Sequence, residues 1–512
     1  MRRSFSSIQR DFGPDSVVFL GDLFDGGREW GTKQTSSPEK RYQKYKDSFW
    51  KKEYHRFVKI FTDQWNEGDW AVTDPRGRRM IASLPGNHDL GFGSGVQVPV
   101  RDRFQSFFGK GNRVDIIGNH TFISIDTVSL SAMDQPDPET GSSGTGSGDG
   151  VQPNELIWKE PEDFLNNMKM HRGLAEVEEL RMLRNQSEGL LFDHKVVDAL
   201  EPTVHQTTPL EDTEFPAILL THVPLYRRPG APCGPLRERH PPSSDEPLEE
   251  DEPNAITIGG GYQYQNVLTQ SITKDLVTKV GPNLIQVYSG DDHDYCEISH
   301  REFSGSPNEI TVKSISWAMG VRRPGFVLTS LWNPIDPATG KPTQQPSPGA
   351  TIQNHLCLLP DQLSIFIHYG LVFAFTLAVL LARALLLARY PPTLSNSTSP
   401  ILPLSENRFA SEHSSAFKPP SSSMSSSTNF SPRGLASRAT NAPPRYIPNG
   451  YYDAYPGPGA DDHAMDDGSK WKPGRVEKSG NAFQRIKREF VASIKFVAMI
   501  VFVWYFFLIW RW

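Results

Sequence analysis

The sequence predicts an α/β fold, two sheets packed as a sandwich with helices outside, followed by two transmembrane helices separated by a disordered loop. Three observations carry this expectation. Short β-branched runs that stop at Gly-Asp or Gly-Asn turns alternate with a helix-patterned stretch, the following half is rich in strand patterns, and two apolar runs close the chain.

The first strand is Ser16-Val17-Val18-Phe19-Leu20, which closes on Gly21-Asp22, and Met80-Ile81-Ala82-Ser83-Leu84 closes likewise on Pro85-Gly86-Asn87. Between them, residues 40–65 set Tyr42, Phe49, Tyr54, Phe57, Ile60, Phe61 and Trp65 among Lys, Glu and Gln at near-helical spacing. That is the pattern of a crossover helix in a βαβ unit. Further strands are expected at 121–126, 215–220, 284–289, 309–316 and 326–331. Gly/Ser-rich 137–153, acidic and Pro-rich 241–253, and Pro/Thr/Gln-rich 333–349 read as surface loops. The sandwich domain is expected to occupy 1–332, and 333–362 to be a linker.

Residues 363–388 and 490–510 are almost wholly apolar, and each run exceeds the roughly 20 residues that cross about 30 Å of hydrocarbon. Trp504, Tyr505 and Trp510 suit an interfacial belt, and His368, Arg383 and Lys495 lie near run ends, where long side chains snorkel. Arg383 and Arg389 close the first run, while Arg485, Lys487, Arg488 and Lys495 open the second. Both basic edges therefore face the loop 389–489, expected to be cytosolic, which puts the N-terminal domain in the lumen or outside. Within that loop, 391–480 buries too little apolar surface to fold. Sequons at Asn119 and Asn185 are compatible with this orientation. Met1-Arg2-Arg3-Ser4-Phe5 is basic but leads into no apolar stretch, so it is not a signal peptide.

Composition narrows the partners. A net charge of -6 supplies no basic field for a phosphate backbone, so nucleic acid is not expected. Cys233, Cys296 and Cys357 form no CxxC or Cys/His cluster, which excludes a cysteine-based zinc site, while one bridge in an oxidising compartment stays open.

The chemistry sits in the turns. A phosphate ester resists hydroxide because both are anionic, and two divalent metals about 3.5 to 4 Å apart overcome this by charge and by ionising water. One carboxylate must bridge metals so close, and Asp22 at the strand end of Gly21-Asp22-Leu23-Phe24-Asp25 is the candidate, with Asp25 bracing the loop. In Gly86-Asn87-His88-Asp89, Asn87 offers a neutral, hard amide oxygen. His88 can face the substrate and protonate the leaving oxygen, with Asp89 fixing its tautomer. Ile218-Leu219-Leu220-Thr221-His222 delivers a histidine at a strand end, and Tyr288-Ser289-Gly290-Asp291-Asp292-His293-Asp294 runs into further ligands.

These four ordered motifs, over 15–294, resemble the calcineurin-like metallophosphoesterases. The last motif there is Gly-His-x-His, whereas here Asp291 stands in place of the first histidine; the added negative charge favours manganese, with zinc or iron as the other candidates. The resemblance implies His293 on the first metal and Asn87, His222 and Asp291 on the second.

Phe19 through Arg28, Thr221-His222-Val223-Pro224-Leu225-Tyr226-Arg227, Cys233-Gly234 and Ser314-Ile315-Ser316-Trp317-Ala318-Met319-Gly320 narrow the likeness to fungal cell-division-control-type GPI-anchor remodelling phosphoesterases. That type implies a multi-pass membrane enzyme of the endoplasmic reticulum, with the Golgi as the alternative. It would remove ethanolamine phosphate from a mannose of a GPI glycolipid or GPI-anchored protein on the lumenal side. Arg28 and Arg227, just after ligand turns, are candidates for phosphate or glycan contact. Cys233 and Cys296 each follow a ligand loop, and in a lumenal domain their pairing would tie those loops together. Members also carry an N-terminal anchor and an Asp-x-His or Asp-x-Gln strand, expected here ahead of Met1. Without them the alternative is a truncated, non-catalytic membrane protein on the same scaffold.

Overall fold

The computed structural model describes residues 1–24, 30–37, 40–67, 77–91, 95–133, 154–186, 213, 215–243, 251–258, 266–316, 320–343, 351–390 and 481–510. Asp25, Arg28, the segment 317–319 and the loop 391–480, on which several expectations fall, lie outside them. Two compact units are present, 1–370 and 371–512.

In the first unit β1 (Ser16–Val18) pairs in parallel with β2 (Arg79–Ile81), Val17 opposite Met80. A larger sheet contains β3 (Arg113–Ile117), β4 (His120–Ile125), β5 (Ala217–Thr221), β6 (Leu284–Ser289), β7 (Cys296–Ser299) and β8 (Asn308–Thr311), in the order β3-β4-β5-β6-β8-β7. Strands β4, β5, β6 and β8 run parallel, and the edge strands β3 and β7 are antiparallel to their neighbours. Every residue of β4 and β5 is buried, as expected of strands covered on both faces.

One face of that sheet packs on helices. Ile123, Ile125, Leu219 and Val287 meet Phe104 of helix Val98–Phe108, Leu165 of helix Lys159–Asn166, and Ile272, Leu276 and Val280 of helix Gln270–Val280. The other face packs on a second layer. Phe122, Ile218, Leu220, Tyr288 and Ile310 meet Val18 of β1 and Leu84 beyond β2, and Val327, Leu331, Ile352 and Leu356 from a ribbon of β9 (Gly325–Leu331) and, following β10 (Ile335–Asp336) and β11 (Lys341–Pro342), β12 (Ile352–Leu358). Outside β1 and β2, Phe19 packs edge-on against Phe57 and Phe61, and Phe5 of helix Arg2–Phe12 packs against Phe61. The two-layer α/β sandwich with outer helices is therefore what the chain forms.

Two boundaries change. The expected helix at 40–65 begins at Asp47 and runs through Asn66, its middle turn Val58–Thr62 opened to π geometry. More consequential is 333–362, expected as a linker: β12 pairs residue for residue with all of β9, from Ile352 opposite Leu331 to Leu358 opposite Gly325. Its alternate apolar residues Ile352 and Leu356 help fill the core between the layers, so this segment belongs to the domain and only 359–361 separates it from the first apolar helix. Asn119, expected as a candidate glycosylation site, has its amide nitrogen donated to the Asn333 carbonyl at 2.8 Å while Asn333 returns the bond at 2.7 Å.

Helices Gln362–Arg389 and Ala482–Trp510 are long and apolar enough to cross a membrane, the most apolar stretches within Gln362–Arg389 and Ala482–Phe507 having mean hydropathy 2.5 and 2.1. They suggest membrane association. The second starts eight residues before the expected 490, taking Arg485, Lys487 and Arg488 into its opening turns. In this unit the Arg383 guanidinium donates to the Ser493 hydroxyl at 2.6 Å, near the ends that flank the loop.

Candidate metal centre

The topology dictates where the turns meet. β1 and β2 are parallel, so Gly21-Asp22 and Gly86-Asn87 leave at the same end; β5 and β6 are parallel, so His222 and Gly290-Asp291 do the same. The Gly290 amide donates to the His222 carbonyl at 2.8 Å, and His222 Nδ1 bonds across the sandwich to the Leu20 carbonyl at 2.7 Å. That second bond engages Nδ1 and leaves Nε2 facing Asp22 and Asp291, the nitrogen that would offer its lone pair to a metal when the ring is neutral.

The close approach demands glycine. A Cβ on Gly21, at φ 100°, would stand 2.5 Å from His222 Nδ1 and 2.7 Å from the Gly86 amide nitrogen, and one on Gly86 would collide with the Asp22 carboxylate. Around them the backbone is strained: Asp22 (φ 52°), Asp291 (φ 65°) and His293 (φ 69°) are left-handed, a cost on the order of 1–3 kcal/mol each that surrounding structure must offset.

Asp22, Asn87, His222 and Asp291 converge. His222 Nε2 lies 3.5 Å from Asp22 Oδ1 and 3.7 Å from Asp291 Oδ1, and the Asn87 amide nitrogen donates to Asp291 Oδ1 at 3.1 Å. Among the described residues, four of the buried polar atoms without a hydrogen-bond partner belong to this site: Asp22 Oδ2, Asn87 Oδ1, His222 Nε2 and His293 Nε2. An oxygen, an amide oxygen and two imidazole nitrogens are the donor set of a divalent transition ion, and leaving each unpartnered in the interior costs about 1–3 kcal/mol. Two donors about 2.0–2.2 Å from one ion stand roughly 3 to 3.6 Å apart, close to the separations seen around His222. Among the described residues no three His, Cys, Asp or Glu side chains are drawn tightly enough to be a closed metal cage. The fit to metal rests on these four orphaned atoms together with Asp291.

The titration behaviour points the same way. Burial alone would lower the pKa of His222, but the charges of Asp22 and then Asp291 lift it to about 10. Burial holds the His293 imidazole below its usual value despite the same carboxylates. Asp89 is pushed up to about 7, by burial first and by the Asp22 charge second. The pocket holds more negative charge than its own groups balance.

Asp89 has a part besides the one expected. Its carboxylate accepts from the amides of Gly86 at 2.9 Å and Leu23 at 3.2 Å, so these bonds brace the two ligand turns against each other. His88 is half-buried, and its backbone amide donates to Asp22 Oδ1 at 2.9 Å. Arg227 also moves out of the substrate role. Buried at 4% exposure, it pairs with Glu309 Oε2 at 2.9 Å and donates to Cys296 Sγ at 3.2 Å. Its charge is spent inside the fold.

Sequence reasoning missed the brace behind the ligand loop. Arg237 grips Asp292 through two bonds, 2.7 and 3.2 Å, and Lys313 lies 2.9 Å from both Asp294 and Glu238. The run Asp291-Asp292-His293-Asp294 contains more acids than two metals need, and that surplus was the available signal. Cys233 and Cys296 form a disulfide that fastens the segment after His222 to β7.

Fold, turns and relatives together place the chain in the calcineurin-like metallophosphoesterases. It is 35% identical over 380 residues to cell division control protein 1 of Saccharomyces cerevisiae, covering 73% of this chain and 57% of that protein. With metallophosphoesterase 1 of Rattus norvegicus it shares 25% over 383 residues, 75% of this chain and 71% of the other. The chain thus spans less than two thirds of the yeast relative's length. No family model matches it. A dimetal phosphatase from Danio rerio aligns at a TM-score of 0.27 with 11% identity, over 61% of this chain and 76% of that one, a superposition too loose to carry argument.

Proposed function

We propose that the chain is a membrane-bound, metal-dependent phosphodiesterase that removes ethanolamine phosphate from a mannose of the GPI-anchor glycan. The observation that carries the hydrolytic part is the convergence of four unpartnered donor atoms, Asp22 Oδ2, Asn87 Oδ1, His222 Nε2 and His293 Nε2, at the ends of strands or turns from both layers. Two divalent ions, manganese first among the candidates, would be held by Asp22, Asn87, His222, Asp291 and His293, and when bound would polarise the phosphoryl group and ionise a water. The chain's own residues do the rest. The Leu20 carbonyl fixes the His222 tautomer, Asp89 holds the turns in register, and half-buried His88 stands beside Asp22 where it can give a proton to the leaving oxygen.

The glycan substrate rests on the resemblance of the motifs, and the membrane helices and disulfide support an oxidising, lumenal setting such as the endoplasmic reticulum. The test is release of ethanolamine phosphate from a purified GPI glycolipid by the membrane-embedded chain with manganese. Asp22→Asn and His88→Ala should each remove it; undiminished release from both variants would sink the reading.

A further inference from the structure

Three residues separate β12 from the first apolar helix, and two of them, with the helix's first residue, are pinned to the domain. The Leu359 amide donates to the Pro324 carbonyl at 2.7 Å, the Gln362 amide to the Arg322 carbonyl at 3.2 Å, and the Arg322 guanidinium to Asp361 at 2.8 Å. From Leu363 onward the helix is apolar and open to its surroundings, with Phe366 53% and Ile367 51% exposed. The loop 322–324 therefore stands where the chain enters hydrocarbon.

Around that point the domain shows an unusual surface. Arg322 and Arg323 are both exposed, and the Arg323 guanidinium has no ion-pair partner among the described residues. Leu358, at the end of β12, is 48% exposed. Phe12, at the C-terminal end of helix Arg2–Phe12, is 50% exposed and its ring stands 6.1 Å from Phe326, which pairs with Cys357 beside Leu358. The unpaired Arg323 guanidinium, with Arg322 exposed beside it on Asp361 and two exposed apolar side chains nearby, matches the layer in which lipid phosphates adjoin the upper acyl carbons.

We propose that Arg322, Arg323, Phe12 and Leu358 form a rim that rests on the headgroup phosphates of the bilayer entered by helix Gln362–Arg389. The rim is wired to the candidate metal centre. Glu238 accepts from the amides of Arg322 and Arg323 and from Lys313, and Lys313 in turn holds Asp294, next to His293. A second path runs from the Gly325 amide to the Ser314 carbonyl at 3.0 Å and from the Ser314 amide to the His293 carbonyl at 2.9 Å. Docking would hold the ligand loop at a fixed height above the membrane, within reach of headgroups and not of cargo deep in solution; this consequence, unlike the rim itself, rests on the proposed function.

The test uses the full chain in phosphatidylcholine nanodiscs containing a nitroxide-headgroup lipid. Bimane is attached singly to Arg323→Cys, Trp332→Cys or Gly370→Cys in a Cys357→Ala background. Trp332, 73% exposed at the opposite end of β9, reports a domain surface away from the rim, and Gly370 reports the helix. Strong loss of fluorescence at 323 with little at 332 is expected. Equal quenching at 323 and 332, or none at 323, overturns the rim. An unquenched label at 370 overturns it through its membrane premise. Hydrolysis of a soluble phosphodiester by the same samples reports the proposed function separately, because quenching requires no turnover.

Discussion

Two clusters of buried charge lie behind the strand ends of this domain, and they are opposites. At the candidate metal centre Asp22, Asn87, His222 and His293 each leave a buried polar atom unpartnered, on a backbone strained at Asp22, Asp291 and His293. In the second cluster, centred on the neighbouring strand β8, Glu309 accepts from His300 at 2.7 Å, from Ser289 at 2.6 Å and from the Leu225 amide at 3.1 Å, and pairs with Arg227 at 2.9 Å. Both clusters are made of histidine, carboxylate and their neighbours. The difference is satisfaction: in the second cluster Arg227 Nη2, the atom without a hydrogen bond, still lies at ion-pair distance from Glu309, so that cluster holds the fold, whereas the donor atoms of the first wait for something else and are held by the fold.

That contrast can be broken by mutation, taking the largest expected effect first. Asp22→Asn keeps a residue tolerant of the left-handed backbone but removes the charge; phosphodiester hydrolysis should fall about 10³-fold or more while the thermal midpoint does not drop. Glu309→Ala should do the reverse, costing about 3–5 kcal/mol in denaturant unfolding by stranding Arg227 and His300, while turnover per folded molecule is kept. If Glu309→Ala instead spared stability and abolished turnover, the two clusters would have been assigned the wrong way round. Asp89→Asn sits between them, since it weakens the brace on both ligand turns: activity should fall about 10–100-fold through weaker metal affinity, partly recovered by raising manganese.

The smallest effect is in pH. His300 is held above its ordinary 6.5, because Glu309 outweighs the lowering by burial, so its contribution is full below 6.5 and is lost as pH rises through the raised value. Glu309 is held below its ordinary 4.5, because Arg227 and His300 outweigh the raising by burial, so its contribution is present above 4.5 and lost as pH falls. Thermal midpoints should thus be highest between 4.5 and 6.5, and Glu309→Gln should flatten that profile.

What the sequence made legible was whatever is local. Gly21-Asp22, Gly86-Asn87, His222 and Gly290-Asp291 each end a β-branched or apolar run, so their position at strand ends could be read directly, and parallel pairing then had to bring those ends together. Partner choice was not local. Arg227 stood just after a ligand turn and looked available, but its neutralising carboxylate, Glu309, is 82 positions away; Lys313 reaches back 75 positions to Glu238. Likewise β12, with alternate residues Gln353 and His355 facing out, reads as polar linker until its partner β9 is known. Asp89 could have been read from its spacing alone, because the third residue after Gly86 is where a carboxylate caps the turn's own amide.

Metal content tests the central claim most directly. The purified full chain and its Asp22→Asn and Glu309→Gln variants would be equilibrated with manganese, desalted and analysed by elemental mass spectrometry. Wild type and Glu309→Gln should retain the same tightly held metal, and Asp22→Asn should lose it. Wild type that retains no divalent ion, or Asp22→Asn that retains as much as wild type, would contradict the account.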